Sequence, residues 1–179
     1  MKSEYIWLCV TGVVGVLWLF VVKRWLLADI LPLTTVPNPP DWVEQVYVWS
    51  AIASLLLGFG LALIWIYRSS KARFASSREA RARTGTWWLW AIFLYIVLFG
   101  LYLGIELGIG YPYTQPGSEE MLNTGLVQTV FANAPLGWVA LFLVIDVVLL
   151  FWVPTALSTF GTLRYITPGA RGLRKLTGG

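Results

Sequence analysis

Two carboxylates in this 179-residue chain sit where carboxylates are costly. Asp146 is flanked by Leu143, Val144, Ile145, Val147 and Val148, and Glu106 lies between Gly104 and Gly108. A charged residue at the centre of a membrane helix costs about 2.5–3.5 kcal/mol to insert, so Asp146 must turn away from lipid. It either keeps its proton or pairs with a donor. By depth, its partners within the chain are Thr11, Ser54 and Tyr95, and none of these is a cation. Three readings stay open: a protonated or hydroxyl-bonded Asp that fixes helix orientation, a contact to another subunit, and a proton or ion site in a pathway. Glu106 lies toward the end of its apolar run, where water can reach it. Both are assigned as intramembrane polar or partner contacts.

Other chemistry is excluded more firmly. The chain has no His and a single Cys, Cys9, which removes His-ligated haem, His-bound metal and an intrachain disulfide. Cys9 itself reads as a small buried hydrophobe. No Gly-rich phosphate loop ending in Gly-Lys-Ser/Thr and no Gly-x-Ser-x-Gly nucleophile elbow occurs. Asp146 and Glu106 differ in depth by about 10 Å or more along straight helices, so they form no catalytic pair. No catalytic residue and no metal ligand is assigned. No cofactor of its own is expected, which leaves room for a bound lipid or a shared quinone site.

The elements that must position these carboxylates follow from composition. The chain is 58% apolar, against about half in soluble domains, and only 12% charged. A bilayer core needs roughly 20 apolar residues in helical form. Four stretches qualify, at about 5–22, 46–67, 87–108 and 136–157. Each is apolar all round, and backbone groups in lipid must be satisfied within the segment. The expected fold is an all-α integral membrane protein, a single four-helix transmembrane domain over 1–179.

Basic residues set the expected orientation. Lys2, Arg68, Lys71, Arg73, Arg78, Arg81, Arg83, Arg164, Arg171, Arg174 and Lys175 share one side, which is eleven of the thirteen. Only Lys23 and Arg24 fall on the other. This split predicts both termini in the cytoplasm, with 164–179 a short basic tail there. A bacterial inner membrane or its equivalent fits. The net charge of +4 is then a matter of topology, and no nucleic-acid partner is implied.

The connections add detail. Pro32, Pro37, Pro39 and Pro40 stiffen the first, and Asp41 stands where a helix cap would, with Glu44 three residues on. In the middle loop Arg68, Lys71, Arg73, Arg78, Arg81 and Arg83 are assigned to anionic phospholipid headgroups, at about 1 kcal/mol each near the surface. Ser76 and Glu79 have capping-box spacing there. In the last connection Leu122, Leu126 and Val130 predict a short amphipathic helix over about 118–132. Pro154 predicts a kink that frees a carbonyl around Leu150.

Helices in lipid associate through small residues. Ser50, Ser54, Gly58 and Ala62 form one such stripe on the second stretch, and Gly100, Gly104 and Gly108 form another on the third. The two are expected to pack as a hairpin or to dock another protein. Together these features point to a non-catalytic accessory subunit of a larger membrane assembly, energy-transducing (respiratory or photosynthetic) or secretory, whose partners are other integral-membrane subunits. A small oligomeric cation or proton transporter using Asp146 is the alternative.

Overall fold

A computed structural model describes residues 3–26, 41–71, 76–110, 136–158 and 165–176. The regular structure among the described residues is helical throughout. Four helices are long and apolar enough to cross a membrane: Tyr5–Trp25, Gln45–Arg68, Arg78–Ile105 and Val139–Ser158. They are called here the first to fourth long helices. The amphipathic segment expected over 118–132 and the proline-rich connection lie outside the described residues.

The helix boundaries follow local chemistry. The helix that carries the second long stretch starts with Asp41–Ser54, so Asp41 is its first residue and not the cap ahead of it. Ser76 is extended (φ −148°, ψ 158°), and its hydroxyl accepts the Glu79 N–H at 3.2 Å, which caps a short helix over Ser77–Ala82. Thr84–Gly110 then runs without interruption. Pro168–Gly169 forms a turn, with Gly169 at φ 73°, before the short helix Ala170–Leu176. The first long helix extends to Trp25 instead of ending near Val22. The expected end assumed that Lys23 would leave the apolar layer. It stays because its charge is met inside the bundle.

The fourth long helix is the axis of the structure. Buried positions make up 56% of its apolar window, against 17% for the first and third. Ala62, Trp65, Trp87, Ala91, Leu94, Leu98, Val139, Leu143, Phe151 and Ile166 belong to the larger core, which runs along the fourth helix from Val139 to the middle-loop end. Leu19, Ala51 and Leu150 form a smaller one, flanked by Trp18, Tyr47 and Leu55.

Three long helices widen into π-helical turns, at Trp18–Val22, Leu55–Phe59 and Val148–Trp152. These segments meet at one level, where Gly58 admits the Leu150 side chain. A Cβ at Gly58 would stand 2.8 Å from Leu150 Cβ, and one at Gly15 would stand 2.6 Å from Leu150 Cδ2. The widened turn in the fourth helix lies immediately before Pro154. There the Val153 N–H bonds the Val148 carbonyl, five residues back, so the ladder has already opened where the proline ring enters. Thr155 Oγ1 donates to the Trp152 carbonyl at 2.9 Å.

The two small-residue stripes behave differently. Ser50 turns its hydroxyl back to the Val46 carbonyl at 2.6 Å, Ser54 and Gly58 face the fourth helix, and Ala62 is fully buried in the larger core. The second and third helices do pack against each other. The glycine row is not what joins them, because no described atom lies within 4 Å of a Cβ built on Gly100, Gly104 or Gly108.

Candidate functional site: a buried ion pair

The polar centre is assembled by three of the long helices. Asp146 is fully buried, and its Oδ2 accepts from Lys23 Nζ at 2.6 Å and from Ser54 Oγ at 3.3 Å. Its Oδ1 accepts from Trp18 Nε1 at 2.7 Å. Lys23 is 8% exposed and Ser54 2% exposed. Both carboxylate oxygens are therefore engaged, as a buried carboxylate requires. Tyr47 donates its hydroxyl to the Leu19 carbonyl inside the widened turn of the first helix, closing the same layer from the side.

This corrects the expectation that no cation within the chain could reach Asp146. Ser54 is a partner as expected. Thr11 instead donates to the Leu8 carbonyl at 3.0 Å, and Tyr95 stacks on Phe99. The cation is Lys23, one of the two basic residues assigned to the opposite loop. Its four-carbon stem lets a charge rooted near a helix end reach inward as readily as outward. Trp18 was also unforeseen. Residues five apart stand about 140° apart on an ordinary α-helix, so Trp18 and Lys23 do not share a face in that register. The widened turn changes this, since the Lys23 N–H bonds the Trp18 carbonyl in an i→i+5 step. Glu106 falls within Thr84–Gly110, and its side chain lies outside the described residues.

The arrangement holds charge more readily than it transfers it. An ion pair out of water is no more stabilising than well-packed apolar groups of equal volume, but removing one partner leaves a bare charge and costs about 3–5 kcal/mol. The pair joins the first and fourth long helices across 123 residues of sequence. No group of three or more metal-ligating side chains occurs among the described residues.

At the other end of the bundle the basic residues meet aromatic faces. Arg68 lies over Trp90 at 5.7 Å, and Lys71 lies over Tyr67 at 4.3 Å and donates to its hydroxyl. Arg81 and Arg171 both converge on the Tyr165 ring, at 5.9 and 4.1 Å. Arg78 and Arg83 are exposed nearby in sequence, and Arg73 lies outside the described residues. Cation–π contacts of this kind contribute about 0.5–1 kcal/mol at exposed sites. Trp87 stacks on Phe151 at 5.4 Å and donates its indole N–H to Thr155 Oγ1 at 3.2 Å.

No family model matches the chain, and neither a curated protein nor a solved structure matches it. The class that the fold and the site define is a helical bundle with four candidate membrane-spanning helices and an internal ion pair.

Proposed function

We propose that this chain is a non-catalytic accessory subunit of a larger integral-membrane assembly, energy-transducing or secretory, with both termini on the cytoplasmic side. The observation that carries the reading is the exposed face of the third long helix. Leu89, Phe93 and Ile96 project from it at 68%, 62% and 61% exposure. One turn further on, that face gives way to Gly100, Gly104 and Gly108, with no described atom near them. Lipid has no need of a trough in a helix, whereas a second helix backbone does. Asp146 is neutralised within the chain and so gives no contact to a partner subunit, which leaves the third helix to carry the reading.

The test is co-purification. The tagged full chain, extracted from its native membrane in mild detergent, is expected to bring at least one other integral-membrane chain with it. Gly104→Ile should release that partner while circular dichroism stays unchanged. A chain that emerges alone and monodisperse would sink the proposal.

A second reading, a small oligomeric proton or cation transporter using Asp146, draws support from the π-helical turns around the carboxylate, since such turns gather at functional sites. Each passage would have to release Lys23 from Asp146. Reconstituted vesicles separate the two readings: an Asp146-dependent flux, lost in Asp146→Asn with assembly intact, favours transport.

A further inference from the structure

A cavity of about 460 Å³ opens on the flank of the bundle, between the third and fourth long helices and the Pro168–Gly169 turn. It lies within the size range of small-molecule sites, about 300–1,000 Å³. Trp87, Trp88, Tyr95, Val148, Trp152 and Gly169 are among the residues that line it, and the wall is almost entirely carbon. The turn forms one edge because Gly169 permits it. At φ 73° few L side chains fit, and a Cβ there would stand 3.0 Å from Trp152 Cζ2. Trp152 Nε1 fixes the turn by donating to the Pro168 carbonyl at 2.7 Å.

Two facts identify the occupant. The indole N–H groups of Trp87 and Trp152 are already given to Thr155 and Pro168, so neither is offered to the cavity. Trp88 and Tyr95 are the remaining donor-bearing side chains among the named wall residues, and with the wall almost entirely carbon a hydrocarbon chain is better served than a quinone headgroup, whose carbonyls need donors. The second fact is the charge that follows the cavity's Gly169 edge along the chain. Arg171 stands two residues beyond Gly169, and Arg81 is brought to it across the Tyr165 ring. Tyr165 and Trp152 both pack on the core cluster that contains Trp87. Two exposed guanidinium groups gathered on one ring suit a phosphate.

We infer that this cavity is a specific site for an anionic phospholipid, with an acyl chain between the third and fourth long helices and the phosphate held by Arg81 and Arg171. The site is independent of the glycine row and does not rest on the subunit reading.

The experiment uses the full chain in mild detergent, supplied with equal phosphatidylglycerol and phosphatidylcholine, with retained lipid counted by native mass spectrometry. Preferential retention of one phosphatidylglycerol per chain is expected. Val144→Trp, at a cavity-lining position 46% exposed, should displace it by filling the space. Arg81→Gln with Arg171→Gln should weaken phosphatidylglycerol retention about tenfold or more, while phosphatidylcholine is unaffected. Equal retention of the two lipids overturns the inference, as does undiminished phosphatidylglycerol on the Val144→Trp chain. Cross-links from position 88 to another membrane chain, with no lipid retained, overturn it as well. If Val144→Trp does not fold, acyl-brominated lipids on the unaltered chain provide the test. Tryptophan quenching should be stronger with the phosphatidylglycerol, and equal quenching counts against the site.

Discussion

The small-residue stripes on the second and third long helices look alike in sequence and have opposite fates. Ser54 and Gly58 are filled by the fourth helix: one hydroxyl meets Asp146, and one missing side chain makes way for Leu150. Gly100, Gly104 and Gly108 meet nothing described. Among the described residues, the filled stripe belongs to the fold and the open one faces outward. What separates them is the fourth helix, which presents a buried charge and a bulky Leu at the depth where the second helix is thin. A stripe of small residues thus marks where something approaches closely, and its neighbours decide whether that something is in the same chain.

Substitutions can break this contrast in graded steps, read by denaturant unfolding in micelles with tryptophan fluorescence and circular dichroism. The largest effect should come from Lys23→Ala, which strands Asp146 without its cation and should cost about 3–5 kcal/mol. Replacing the pair together, as Lys23→Met with Asp146→Leu, should restore most of that loss. If the double variant is as unstable as the single one, the stranded charge is not the source of the loss. Gly58→Val comes next, since its Cβ would press on the Cβ of Leu150 and the remaining bulk has no free space. A cost of about 1–3 kcal/mol is expected. Gly104→Ile should be smallest, shifting the chain's own stability by less than about 1 kcal/mol, because glycine is already a poor helix former. A large loss at Gly104 would mean that the open stripe is part of the fold after all, and the contrast would fall.

Much of the fold was legible in the sequence because it rests on local, repetitive signals. Twenty apolar residues in a row can only be a helix in lipid, Ser76 and Glu79 spell a cap, and Pro168–Gly169 spells a turn. Asp146 was also legible as a group that must face inward, and Ser54 as a neighbour at its depth. Lys23 was not. A basic residue at the end of an apolar run reads as the end of the helix, and only the tertiary structure shows its stem bent toward Asp146. Trp18 was hidden for a different reason: its alignment with Lys23 depends on a widened helical turn, which no spacing rule for the α-helix anticipates. The stripe on the third helix was legible as a pattern, but its pairing with the second helix was not, since the two helices meet along other side chains.

The Lys23–Asp146 pair also orders events during synthesis. Lys23 emerges early, and Asp146 only 123 residues later. Until the last long helix enters the membrane, the first has a cation and no counter-charge, and its stable place is with Lys23 at the water boundary. In the finished fold the widened turn that holds Trp18 and Lys23 brings that end of the first helix to Asp146. A chain cut short before its final long helix would therefore leave Lys23 without its counter-charge.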